Sequence, residues 1–364
     1  MADPTNTPMP PATPVRSPSP VGSKPRVLHI GDPVKYNPDT YAAFVAQFDV
    51  VRPSAAERER DTFKAALREG RYGEFSAIFR PFWGSGGEMG RWDAELIGLL
   101  PKSVKVFASA GAGFDWADTK LLGESGIIYC NSGLAAAEAV ADFAIAMIIS
   151  TFRVLPWCIS AAAEPSSFSD CHARATVASH NLRGHVIGII GFGNIGQQVA
   201  ARCRHGFGMA VHYHDVVRKG ADVEGPLGAV FHETLEGLVR VSDCVVLCTP
   251  GGEKIITKET LRCFKAGGRF VNVARGNLVD EEALADALED GRIAAVALDV
   301  HADEPNLSPR LKKFAGTKAM LTCHNAGGTV ETHRGFEELS MRNIMAVLSG
   351  GDPITPVNLH YLKK

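Results

Sequence analysis

Short apolar runs rich in β-branched residues recur along the chain and alternate with longer stretches free of helix breakers. Residues 26–30, 76–79, 104–108 and 127–129 predict strands, and 39–47 and 56–69 predict helices between them. This βαβα order implies a parallel sheet. Beyond residue 184 the alternation resumes, with strands predicted at 186–190, 210–214, 244–248, 269–273, 294–298 and 319–322 and a helix at 280–290. Six strands with intervening helices suit a second, doubly wound sheet.

Between the two series, residues 134–153 read as a long helix, apolar on most of its surface, which must be buried by the fold, by a second subunit, or by both. A homodimer is the corresponding expectation. Residues 156–181 have mixed polarity and no clear period, and read either as an arm over a neighbouring subunit or as a surface loop. Residues 331–349 predict a closing helix that can cross back to the first sheet. The expected class is therefore α/β, with two Rossmann-like domains, helices on both faces of each parallel sheet, and an active site in the cleft between them. The expected division is a Pro- and Ser-rich tail at 1–24, a substrate-binding domain at 25–133 plus 331–364, and a dinucleotide-binding domain at 134–330 that includes the dimerisation helix and arm.

The chain has 364 residues, 45% of them hydrophobic, enough for two cores, and a formal net charge of -2. With no run of five or more basic residues, it shows no electrostatic footprint for nucleic acid or an anionic membrane surface. The eight cysteines are scattered without a CxxC and read as reduced, buried thiols of a cytoplasmic protein, with no metal site. The first 24 residues match neither a secretory signal nor an Arg-rich transit peptide and read as disordered. The most apolar run, 134–151, is broken by Glu138 and Asp142, so no membrane span is expected.

Gly191-Phe192-Gly193-Asn194-Ile195-Gly196 follows a predicted strand and opens a predicted helix. In that context the first glycine permits the turn, the second lets the backbone approach a pyrophosphate, and the third lets helix and strand pack. Nineteen residues beyond the last glycine, Asp215 ends the next strand, where its carboxylate can accept both adenosine ribose hydroxyls. That favours NAD, although Arg218 and Lys219 can accommodate NADP if their loop turns inward.

Ligands of open α/β sheets bind beyond the carboxyl ends of the strands. Thr249-Pro250, Ala274-Arg275-Gly276, Asp299 with Glu304, and His324 all follow predicted strands. Arg275 offers a fork of donors for a carboxylate or a polarised carbonyl. His324 can deliver a proton near neutral pH. Glu304 can orient that imidazole and favour its charged form, and Asp299 can meet a nicotinamide amide. Ser109-Ala110-Gly111-Ala112-Gly113 can form an anion nest of backbone N–H groups.

Taken in order, GFGNIG, Asp215, VNVARG, ALDVHADEP and LTCHNAGGT resemble the D-2-hydroxyacid dehydrogenase family from about residue 26 to 358. SHNLRGHVIGIIGFGNIG and HGFGMAVHYHDV resemble its fungal D-mandelate dehydrogenase branch. The resemblance implies hydride transfer between NAD(P)H and C2 of a 2-oxo acid. Arg275 would bind the carboxylate and carbonyl, His324 would donate the proton, and Glu304 would be its partner. Ala110, Gly111 and Ala112 would hold the carboxylate. Val273, Ala274 and Gly327 would join the glycine loop, Asp215, Thr249, Pro250, Asp299, Arg275 and His324 around the cofactor. Cys323 stands where many relatives have Pro, and TPGGEKII departs from the family's longer segment.

Arg80-Pro81-Phe82-Trp83 follows a first-domain strand, so its aromatics either wall a pocket for a bulky acid such as benzoylformate or belong to the core. Glyoxylate or hydroxypyruvate reduction is the alternative. Glu304 argues against formate dehydrogenases, which carry Gln there, and the short stretch after His324 against the regulatory domain of many phosphoglycerate dehydrogenases. An NADH-sensing corepressor on the same fold is the reading of another class.

Overall fold

The computed structural model describes residues 24–81 and 89–362. The first sheet consists of β1 (Arg26–His29), β2 (Asp49–Val51), β3 (Ala77–Arg80), β4 (Val106–Ser109) and β5 (Ile128–Cys130), all parallel in the order β2-β1-β3-β4-β5. Helices α1 (Pro38–Gln47), α2 (Arg60–Arg68), α3 (Ala94–Ile97) and α4 (Thr119–Glu124) make the crossovers. Alternate strand residues feed two cores, as the two-residue period requires. Ile78, Phe107 and Tyr129 pack with Phe63 and Trp92 on one face, and Phe79, Ala108 and Cys130 with Phe44 on the other.

Three helices lead to the second sheet: α5 (Gly133–Phe152), α6 (Leu155–Ala162) and α7 (Pro165–Ala178). Among the described residues α5 is the one helix long and apolar enough to cross a membrane by length and composition. Here Ala144, Ile148 and Phe152 of α5 are buried in the core of the second sheet. Its two acidic residues meet Arg202, whose Nε lies 2.6 Å from Asp142 and whose Nη2 lies 3.6 Å from Glu138.

The stretch 156–181, read from sequence as an arm or a surface loop, is the helical pair α6 and α7, closed over Ala161, Cys171 and Ala175. Its prolines look like breakers but stand in the first turn of each helix, where a missing N–H leaves no bond unmade.

The second sheet contains β6 (Val186–Ile190), β7 (Ala210–His214), β8 (Val230–Phe231), β9 (Cys244–Leu247), β10 (Gly268–Asn272), β11 (Ile293–Leu298) and β12 (Ala319–Leu321), parallel in the order β12-β11-β10-β9-β6-β7-β8. Its helices are α8 (Asn194–Ala201), α9 (Ala221–Leu227), α10 (Leu235–Val241), α11 (Lys258–Arg262), α12 (Glu281–Glu289) and α13 (Pro309–Lys312). The two edge strands β2 and β8 are additions to the sequence reading. Finally α14 (Val330–Leu348) returns to the first sheet, burying Met341 and Ile344 beside Phe79 and Val106. Glu337 of α14 accepts the N–H groups of Lys35 at 2.7 Å and Tyr36 at 2.8 Å. Asn358 then accepts the N–H of Tyr129 at 2.8 Å, so the C-terminal stretch is stitched to β5.

Candidate active site

Each sheet has a topological switch point, between β1 and β3 in the first and between β9 and β6 in the second, and ligand clefts of such sheets open beyond the strand ends there. At the second switch point β6 runs into the glycine turn. Gly191 has φ 90°, and a Cβ on it would lie 2.9 Å from Thr249 Cγ2, which reserves the position for glycine. A Cβ on Gly196 would lie 2.2 Å from the carbonyl oxygen of Gly191, so α8 packs on β6 through that absent side chain. Gly193 faces open space. Asn194 is exposed and Ile195 half-buried, while Phe192 is buried and stacks on Tyr213 at 4.1 Å.

No side chain caps the N-terminus of α8, and the buried Oγ1 of Thr249 has no hydrogen-bond partner among the described residues. An uncapped helix start, an open glycine and an orphaned hydroxyl together fit a dinucleotide, whose pyrophosphate needs N–H donors. Asp215 Oδ2 accepts the N–H of Phe192 at 2.8 Å and lies 3.1 Å from Lys219 Nζ. Burial works to raise the Asp215 carboxyl, but the Phe192 N–H and Lys219 outweigh it and hold it below the usual carboxylate range. Arg218 is engaged by Glu224. Its Nε and Nη2 meet Glu224 at 3.0 Å and 2.9 Å, so Lys219 rather than Arg218 is the cation beside Asp215.

Arg275 is fixed by the turn that carries it. The buried Asn272 accepts the N–H of Ala274 at 2.9 Å and donates to the carbonyl of Arg275 at 2.9 Å. The guanidinium reaches the loop after β4, where its Nε donates to Asp115 Oδ1 at 3.1 Å. A Cβ on Gly113 would lie 1.3 Å from Arg275 Nη2. Gly276 is pressed on the chain after β11, since its Cβ would lie 1.9 Å from the carbonyl carbon of His301.

The Ser109–Gly113 loop is held by the start of α5. Ser132 donates its N–H to the Gly111 carbonyl at 2.9 Å, and Asn131 Nδ2 donates to the Ala112 carbonyl at 2.9 Å. Gly111 has φ 86°. One sequence expectation needs correction here: the Ala110 N–H donates to the Arg80 carbonyl at 2.8 Å, continuing the sheet, so Ala110 does not offer its N–H to an anion, and any such role falls to the residues from Gly111 onward.

His324 Nδ1 and Glu304 Oε2 are 2.8 Å apart, and Glu304 Oε1 accepts the N–H of His301 at 2.9 Å. Burial works to raise the Glu304 carboxyl, but His324 and the His301 N–H outweigh it and leave it below the usual range. His324 has φ 55°, a left-handed conformation that is uncommon in non-glycine residues and needs support from its surroundings. Asp299, almost fully buried, holds it there. The Asp299 carbonyl accepts the His324 N–H at 2.7 Å, and its carboxylate accepts Thr322 Oγ1 at 2.7 Å and the N–H groups of Asn325 at 3.0 Å and Ala326 at 2.9 Å. The carboxylate expected to face a nicotinamide amide is thus engaged in fixing the histidine loop.

Arg275, Glu304 and His324 are joined through Gly276, His301 and Asp299. Val273 and Ala274 are buried behind Arg275, Pro250 is exposed after β9, and Gly327 lies against Val140 and Ala136 of α5. Arg80 and Pro81 are buried, with Arg80 stacked 4.0 Å from the Trp116 ring, while Phe82 and Trp83 lie outside the described residues. Asp115 and Asn272 escaped the sequence reading. Their signal was faint: a lone carboxylate two residues past the glycine loop, and a polar residue ending an apolar strand.

The family model for the NAD-binding domain of D-isomer specific 2-hydroxyacid dehydrogenases matches residues 145–326. A glyoxylate reductase of Thermococcus kodakarensis is 36% identical over 283 residues, 75% of this chain and 82% of that protein. A 4-methyl-2-oxopentanoate reductase A of Aspergillus oryzae is 32% identical over 298 residues, 82% of this chain and 88% of that protein. The holo crystal structure of Rhodotorula graminis D-mandelate dehydrogenase superposes with a TM-score of 0.88 at 39% identity, covering 92% of this chain and 98% of that one. With the dinucleotide turn, the arginine fork and the histidine–glutamate pair carried on the second of its two parallel sheets, the chain belongs to the D-isomer specific 2-hydroxyacid dehydrogenase family of NAD(P)-dependent oxidoreductases.

Proposed function

We propose that the protein reduces bulky or aromatic 2-oxo acids, of which benzoylformate is the type, with Arg275, Glu304 and His324 as its active centre. The observation that carries the site assignment is the 2.8 Å contact of His324 Nδ1 with Glu304, which commits the opposite ring nitrogen, Nε2, to proton transfer. Reduced nicotinamide, when bound, supplies the hydride that C2 accepts. Arg275 draws charge onto the carbonyl oxygen and pairs the carboxylate, which the Gly111–Gly113 N–H groups also receive. His324 gives its proton to the developing alkoxide and takes another from solvent, to which its side chain is 36% exposed. Oxidation of the hydroxy acid uses the same imidazole as base.

The likeness to D-mandelate dehydrogenase across nearly the whole chain supports an aromatic acid, and the likeness to glyoxylate reductases supports a small one as the second reading. Relative kcat/KM for benzoylformate, 4-methyl-2-oxopentanoate, hydroxypyruvate and glyoxylate, read as cofactor consumption, decides. Benzoylformate is expected to lead, and a preference for glyoxylate of about tenfold or more refutes the aromatic reading. Absence of turnover with every acid, alongside capture of a peptide partner, would favour the corepressor reading.

NAD is the proposed cofactor, because the Asp215 carboxylate opposes a 2′-phosphate. A homodimer is supported by apolar side chains around the connecting helices, with Leu134 51%, Ile159 70%, Phe168 58% and Val177 84% exposed. The eight free thiols suit the cytoplasm, although they are not all buried as expected: Cys323, on the loop after β12, is exposed, and Cys158, Cys248 and Cys263 are half-buried.

A further inference from the structure

Asp115 belongs to the loop after β4, yet it is wedged against two segments of the other sheet. Its Oδ1 accepts from Arg275 Nε at 3.1 Å, and a Cβ on Gly251 would lie 3.4 Å from Asp115 Cβ and 3.5 Å from Arg275 Cγ. The guanidinium is steadied at a second point, because its Nη1 donates to the Ala274 carbonyl at 2.7 Å. Nη2 then lies over Gly113, at the anion nest. An arginine side chain carries about 2 kcal/mol of rotamer entropy, so a fork aimed before substrate arrives binds more tightly than one that must be ordered on binding. Asp115 meets Nε alone, whereas a carboxylate competing for the fork would take two nitrogens.

We propose that Asp115 is a positioning residue: it holds Arg275 in its substrate-binding pose and makes that pose depend on the two sheets being closed on each other. The inference rests on the reading of Arg275 as the carboxylate clamp. Opening of the cleft would withdraw Asp115, since Asp115 and Arg275 ride on different sheets, and release the guanidinium; closure would restore both. Affinity for the oxo acid is thereby tied to the closed form, while the dinucleotide turn at Gly191–Gly196 is untouched.

The test compares wild type, Asp115→Ala, Asp115→Asn and Arg275→Lys in steady-state reduction of glyoxylate and benzoylformate, with NADH dissociation constants from fluorescence. Asp115→Ala is expected to raise KM for the acid by about fivefold, with the NADH dissociation constant within about twofold of wild type. Asp115→Asn keeps an acceptor oxygen and is expected to recover part of that loss. An unchanged KM in Asp115→Ala overturns the proposal, as does a lowered KM, which would make Asp115 a competitor for the fork. No recovery in Asp115→Asn, or an equal loss of NADH affinity, overturns it as general damage to the cleft. If Arg275→Lys is impaired while Asp115→Ala behaves as wild type, the inference alone falls. If wild type reduces neither acid, the proposed function falls first and the inference with it.

Discussion

A methyl group on Gly113 tests the arginine clamp without altering a charge. In Gly113→Ala the new Cβ would lie 1.3 Å from Arg275 Nη2, 2.5 Å from its Cζ and 3.1 Å from Asp115 Oδ1. Non-bonded atoms settle near 3.5 Å, so the guanidinium must retreat by about 2 Å. The loop yields less readily, because Ser132 and Asn131 hold the carbonyls of Gly111 and Ala112 at 2.9 Å each. Gly113 does not have the positive φ of Gly111, so alanine fits its backbone and the effect is steric. Losing one charge-assisted bond to the substrate carboxylate and weakening another removes about 3 kcal/mol, which is about a hundredfold in kcat/KM. Cofactor consumption with benzoylformate and glyoxylate measures this, with NADH affinity as the measure of an intact nucleotide site. A kcat/KM within about threefold of wild type would show that Arg275 does not lie over this loop when substrate binds, and the clamp reading would be wrong.

Three further outcomes follow from the geometry. His324→Ala should lower turnover by about a hundredfold or more while NADH still binds, and near-normal turnover would remove His324 from the chemistry. Wild type should bind NADH more tightly than NADPH, and Asp215→Ala should narrow the difference because Lys219, 3.1 Å from Asp215, is left beside the 2′ position; tighter NADPH binding by wild type refutes the ribose role of Asp215. His29 is fully buried, and burial, with Arg52 and Arg58 nearby, lowers its pKa from 6.5 to about 4. Between those values the unfolded chain takes up a proton that the folded chain does not, so stability falls as pH falls through that window, by about 3 kcal/mol in all. Urea midpoints across pH 7 to 4 should show this decline, and His29→Gln should flatten it; identical profiles for both proteins would sink the assignment.

The long apolar strands and GFGNIG were legible because their patterns are local: a run of β-branched residues, a turn with fixed spacing, a helix after it. β8 was not, being two residues long at a sheet edge with Val230 48% exposed, where a partner strand rather than a pattern defines the element. The helices α6 and α7 were not legible either, because residues 156–181 mix polar and apolar positions without a helical period and are held by a small shared core of Ala161, Cys171 and Ala175. Arg275, Glu304 and His324 were singled out through strand-end logic, yet the use of Ala110 N–H by Arg80 depends on where β4 ends by one residue. Asp115 was hard to see for a plainer reason: its partner Arg275 stands 160 positions away, and no spacing announces such a pair.

The histidine–glutamate contact is the visible feature of the site, but it cannot by itself aim the imidazole. Both side chains are 36% exposed, and pairs so open to water contribute on the order of 1 kcal/mol or less. A left-handed φ at a residue with a Cβ costs about as much or more, so the backbone at His324 needs support that Glu304 does not supply. That support is Asp299, buried behind the loop, whose main chain and carboxylate together make four hydrogen bonds to residues 322–326. The division of labour is physical: a buried carboxylate that accepts three hydrogen bonds sets where the histidine stands, and a half-exposed one sets how its ring is turned. Under the proposed role of His324, a site assembled in this order is directed at its substrate before the substrate arrives, and the cost of that direction is borne in the core of the second sheet rather than in the cleft.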